Sequence, residues 1–96
     1  MKEEFTLTLN ADNNFSVLNR IINVLNRRRV RIKKLMAYEN ENDFKQGGVV
    51  MLLFTTSDLI EKVQLQLEKL IEVEEVKVFG GNQMYYELSE RIVDVD

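Results

Sequence analysis

Phe5, Leu7 and Leu9 alternate with Thr6, Thr8 and Asn10. A period of two predicts a strand with one face buried. The next residues, ADNN, form a turn and helix-start cluster, in which Asn13 or Asn14 is placed to cap a helix. Val17, Leu18, Ile21, Ile22, Val24 and Leu25 then recur at spacings of three and four, which predicts an amphipathic helix of about three turns. Arg27, Arg28 and Arg29 close it, where cations suit the negative end of the helix dipole. Val30 and Ile32 alternate with Arg31 and Lys33, so a second strand runs to about Tyr38. Leu35 and Met36 break the alternation, which places a bulge near Lys34. ENENDFKQGG reads as a polar loop ending in a turn. GVVMLLFTT is apolar and rich in β-branched residues, as a central strand is. Ser57 and Asp58 start the next helix, with Glu61 as capping-box partner of Asp58. Leu59, Val63, Leu67 and Leu70 stripe its face. Val76, Val78 and Phe79 make a fourth short strand, ended by Gly80-Gly81. The tail NQMYYELSERIVDVD reads as an added strand or helix, or as a frayed end.

The order β-α-β-β-α-β predicts an α+β, ferredoxin-like fold: a four-stranded antiparallel sheet with two helices on one face, because right-handed crossovers put both on the same side. Ninety-six residues make one domain, read as residues 1–80 followed by a tail, 81–96. A chain of this size builds one core but no deep catalytic cavity.

Composition narrows the chemistry. There is no cysteine and no histidine, so disulfides, thiolate chemistry and the commonest general base and metal ligand are excluded. Glu72, Glu74 and Glu75 read as exposed turn residues rather than an acid–base pair. Gly47-Gly48 reads as a turn and not a phosphate loop, since no Lys-Ser/Thr follows. Small proteins of this architecture can hydrolyse acyl phosphates with an Arg and an Asn, yet that pair alone is a weak signal. The N-terminal MKEEFTLTLN has acids where a signal peptide needs an apolar run, which points to the cytoplasm, and the longest apolar run is too short for a membrane span.

The net charge is −3, and it is unevenly spread. Residues 1–48 hold nine Lys/Arg against six Asp/Glu, and residues 49–96 hold four against ten. Overall acidity disfavours nucleic acid as a partner. The RNA-recognition motif shares this element order but stacks bases on aromatic side chains of its middle strands, and here those strands offer only Phe5 and Phe54. The basic run Arg27, Arg28, Arg29, Lys33, Lys34 reads as a solvated helix end or as a docking surface for an acidic protein neighbour.

From Phe5 to Phe79 the chain resembles an ACT domain, and more closely the small regulatory subunit of acetolactate synthase (acetohydroxyacid synthase). The most specific match is QLEKLIEVEEV, Gln66 to Val76, which fits that family's Gln-Leu-x-Lys-Leu-hydrophobic-x-Val-x-x-Val pattern. NNFSVLNRI fits Asn-x-x-Gly-x-Leu-x-Arg-hydrophobic, with Asn13, Leu18 and Arg20 in place and Ser16 standing for Gly. Arg29 stands where a helix-ending Gly is expected and Arg31 where Asn is expected.

The resemblance implies a non-catalytic subunit that binds and activates the catalytic subunit of acetolactate synthase in branched-chain amino-acid biosynthesis. It implies a homodimer with an effector amino acid at its interface, held by Asn13, Asn14, Phe15, Ser16, Val17, Leu18 and Arg31. Thiamine diphosphate, Mg²⁺ and FAD would belong to the catalytic partner. The altered loop is like that of short members that activate without feedback inhibition. The other reading is a free-standing ACT sensor of an amino acid other than valine.

Overall fold

The computed structural model describes residues 1–93; the last three positions of the tail lie outside the described residues. Its elements are β1 (Glu3–Asp12), α1 (Phe15–Arg27), β2 (Arg31–Asn40), β3 (Asp43–Thr55), α2 (Ser57–Glu68), β4 (Val73–Gly80) and α3 (Gln83–Val93). The four strands form one antiparallel sheet in the order β2-β3-β1-β4. This is the ferredoxin-like βαββαβ plan, extended by one helix.

The main core lies between the sheet and the pair α1 and α2. Phe5, Leu7, Leu9 and Ala11 of β1 and Val49, Met51 and Leu53 of β3 face Val17, Ile21, Val24 and Leu25 of α1 and Ile60, Val63 and Leu67 of α2. Burying each of the larger ones contributes about 1.5–3 kcal/mol, and the two central strands and the two helices supply seven each of these fourteen. β3 is buried on both faces from Gly47 to Leu53, and β1 is buried on its second face at Thr6. Val50 and Leu52 point away from α1 and pack with Tyr85, Leu88 and Ile92 of α3. Over Gln83–Val93 the tail is therefore a helix, and the sheet has a second, smaller core beneath it. Thr6 is buried on that side, its hydroxyl donating to Gly81 O at 2.9 Å.

Helix α1 ends in a Schellman motif. Val30 N–H donates to Leu25 O and Arg29 N–H to Asn26 O, both at 3.0 Å, and Arg29 takes φ 55°. The reversal satisfies carbonyls that the helix end would leave without partners. It also buries Val30 against the core.

The structure corrects four local readings. The polar stretch before Val49 is mostly strand: β2 runs to Asn40 and β3 begins at Asp43, because pairing with β2 and β1 satisfies its backbone groups. Gly47 and Gly48 lie inside β3, paired with Glu39 and Tyr38, and are not a turn. The cap of α2 is Thr56, whose hydroxyl accepts from Leu59 N–H at 3.2 Å. Ser57 and Asp58 lie within the helix, so the Asp58–Glu61 capping box is not formed. Glu74 and Glu75 belong to β4, and Glu75, at φ 51°, sits where the β1–β4 register shifts between Thr8 and Asn10.

Candidate functional site

A groove of about 510 Å³ opens between the start of α1 and the β2–β3 hairpin. Val17, Leu18 and Ile21 of α1 form one wall. Ala11, Ala37, Gly47, Gly48 and Val49 of the sheet lie across from it, and Asp12, Asn13, Asn14, Tyr38, Glu39 and Phe44 complete the lining. The space exists because the sheet residues there are small. A Cβ on Gly47 would come within 2.8 Å of Tyr38 O, and one on Gly48 within 2.3 Å of the Tyr38 ring. Glycine lets the two strands and the tyrosine ring close up at this point.

The two asparagines have different duties. Asn14 is the N-cap of α1, its side chain accepting from Val17 N–H at 3.1 Å. The Ser16 hydroxyl donates to the same Oδ1 at 2.7 Å, so it is turned to the cap, and Ser16 does not line the groove. Asn13 instead pins the hairpin. Its backbone N–H donates to Lys45 O and its side-chain amide to Phe44 O, each at 2.8 Å. Gln46 Nε2 reaches Asp12 Oδ1 at 3.0 Å. These bonds hold the outward bend of residues 44–46, which arises where the β2–β3 register shifts between Glu39 and Asn40. Phe44 at its tip is 70% exposed.

Of the residues expected to bind an effector, Asn13, Asn14, Val17 and Leu18 therefore line one groove. Phe15 occupies the first position of α1. Arg31 is not brought to it: it pairs with Phe54 at the far end of β2 from Tyr38 and Glu39. The pattern of α1 did not reveal Asp12, Ala37, Tyr38, Glu39, Phe44 or Gly47, which reach the groove through strand pairing. The available signal was Gly47-Gly48 running directly into an apolar β-branched segment, a mark of close backbone approach within a strand.

The five expected docking cations also diverge. Arg28 Nε donates to Gln66 Oε1 at 3.0 Å, tying α1 to α2. Lys33 Nζ pairs with Glu4 at 2.7 Å, and this bond, with a smaller contribution from Asn82, holds the Glu4 carboxyl below its ordinary range against a modest desolvation. Lys34 Nζ stands 4.9 Å from the centre of the Tyr86 ring. Arg27 ends α1 and Arg29 follows it; both are exposed. Elsewhere Arg20 pairs with Glu72. Among the described residues no group of three or more His, Cys, Asp or Glu could hold a metal ion, and no helix is long and apolar enough to cross a membrane.

The ferredoxin-like sheet with a groove at the head of its first helix is a plan that many unrelated functions share, so the comparisons decide the family. The ACT domain family model matches residues 13–76, about two thirds of the chain, and the chain belongs to that family. No curated protein matches it. Among solved structures it is similar to the ACT domain of the GTP pyrophosphokinase of Chlorobium tepidum, at 12% identity and TM-score 0.70, over 82% of this chain and 100% of that one. It is similar to the acetolactate synthase small subunit of Thermotoga maritima at 24% identity and TM-score 0.69, over 79% of this chain and 47% of that one. An uncharacterised protein of Thermotoga maritima aligns at 18% identity and TM-score 0.68, over 83% of this chain and 98% of that one. The chain thus spans about half the length of the acetolactate synthase subunit, and at these identities the likeness concerns the fold.

Proposed function

We propose that the chain is a cytoplasmic regulatory subunit that forms a homodimer and activates the catalytic subunit of acetolactate synthase. The observation that carries this reading is an open edge strand, β2, bordering a groove at the head of α1. A ligand there and a second copy along β2 would act on the same residues, which is what coupling between sites requires. The segment QLEKLIEVEEV supports the choice of partner. Its Leu67, Val73 and Val76 are core residues that dock α2 on β4, and Gln66 receives Arg28. Activation then means that the subunit binds the competent state of the catalytic chain more tightly than the inactive one.

Valine is not the expected effector. The Asn13 amide and the Asn14 side-chain oxygen are both engaged within the chain. The groove nevertheless stays open, and this favours the second reading, a sensor of another amino acid acting on another partner. Reconstitution with an acetolactate synthase catalytic subunit, assayed with and without valine, leucine and isoleucine, separates the two. Stimulated, valine-resistant activity supports the activator. No stimulation and no co-elution shifts the reading to the sensor.

A further inference from the structure

We infer that the groove takes an amino acid with a cationic side chain. The inference rests on reading the groove as an effector site and names its ligand class. Ala11, Gly47 and Glu39 lie in one cross-strand row, Ala11 paired with Gly47 and Gly47 with Glu39. Ala11 belongs to the core beneath α1, so the row faces α1, and Glu39 lines the groove with it. Gly47 adds no side chain of its own, but the Asn13 Cβ and Cγ stand 3.6 and 3.7 Å from the place its Cβ would take, so Asn13 covers the middle of the row. Two strand spacings put Glu39 roughly 10 Å from Ala11, and the apolar path along the groove runs beside Asn13, over Ala37 and Val49 of the neighbouring row.

At one end, the first-turn N–H groups of α1 other than that of Val17, which Asn14 caps, have no acceptor within the helix and favour an anion. They suit the ligand's α-carboxylate. In the middle, Val17, Leu18, Ala37 and Val49 offer apolar surface to methylene groups. At the other end stands the Glu39 carboxylate. The lining contains Asp12 and Glu39 and no Lys or Arg. Lys45 lines the shallower adjoining depression, with Asp12. The Asp12 carboxylate accepts from Gln46, its partner in the pair next to Ala11 and Gly47; successive strand residues face opposite ways, so Glu39 is the carboxylate on the α1 side. A lysine- or arginine-like side chain balances Glu39 while the ligand still presents a carboxylate to α1. A neutral amino acid leaves Glu39 without a partner, and an acidic one is repelled.

Titration calorimetry of the full chain with lysine, arginine, valine and glutamate tests this. Lysine or arginine should bind at least severalfold more tightly than valine, with glutamate weakest. Glu39→Gln, at an exposed position, should erase the preference by weakening the cationic ligand about threefold to tenfold, with valine unchanged. Glu39→Lys should turn the order toward glutamate. Equal binding of valine and lysine, a preference that survives Glu39→Gln, or no binding of any of the four overturns the inference. Stimulation of the catalytic subunit in the reconstitution above is read independently, so failure here leaves the activator reading to its own test.

Discussion

Arg29 holds a backbone conformation that costs an L-residue with a Cβ about 1–2 kcal/mol, because the Schellman turn after α1 demands positive φ. Glycine removes that clash but adds freedom to the unfolded chain. Arg29→Gly is therefore expected to stabilise the protein by about 0.5–1 kcal/mol, read as a higher urea midpoint at unchanged slope. Arg29→Val should lower it. The two glycines of β3 separate in a similar way. A Cβ on Gly48 meets the outer end of the Tyr38 ring, which can swing aside, whereas one on Gly47 meets the Tyr38 backbone carbonyl. Gly47→Ala should cost about 2–3 kcal/mol and Gly48→Ala about 1 kcal/mol, within the usual range for overpacking. Equal costs in chemical denaturation would contradict the assigned contacts.

At the scale of elements, α3 is held at one end by hydrogen bonds and along its length by a small apolar face. Tyr85 is 5% exposed against Val50 and Leu52, so Tyr85→Ala should cost about 2–4 kcal/mol. Tyr86→Ala removes the exposed contact with Lys34 and should cost under about 1 kcal/mol. Where α3 begins, Glu4 O accepts from Gly81 N–H at 2.8 Å, and its carboxylate accepts from Asn82 at 3.0 Å and Lys33 at 2.7 Å. Because the folded protein holds the Glu4 carboxyl below its ordinary range, the associated stability is present above the unfolded value. It is lost as pH falls through the lower folded one. Lys33→Ala should flatten that acid limb of the stability curve, followed by circular dichroism. Strong periodicity made α1, α2 and the strands from Phe5 and Val49 legible in the sequence, and the bulge near Lys34 appears as a register shift between Ile32 and Lys34. The hairpin was not legible. Its polar residues resemble a loop in composition, and only pairing with β1 and β2 makes them strand. Half of the groove was hidden for the same reason. Asn13, Asn14, Val17 and Leu18 announce a helix start, whereas Glu39 and Gly47 gain meaning only from cross-strand register.

For the molecule as a whole, the two sheet edges differ, and this decides where a second copy can add. β4 offers Glu74, Glu75 and Lys77, with a register shift beside them; charge and irregularity of this kind protect an edge from pairing. β2 has charges and register shifts at its two ends, at Lys33, Lys34 and Glu39, but between them offers LMAY, Leu35–Tyr38, an uncharged stretch in regular register with β3. Leu35 is 36% exposed and Tyr38 38%, so apolar surface and unpaired backbone groups coincide on one margin. Antiparallel pairing of two β2 strands would continue the sheet and set two grooves beside the shared edge, where a ligand could favour the paired state. The proposed homodimer should scatter light as twice the 11.3 kDa chain. Leu35→Glu would put two like charges near the twofold axis, which destabilises a facing pair, while leaving the buried face of β3 intact. The variant should run as a monomer with unchanged circular dichroism and only a small loss of monomer stability. A wild-type chain that stays at the monomer mass at high concentration would remove the homodimer and, with it, the shared-edge route from ligand to partner.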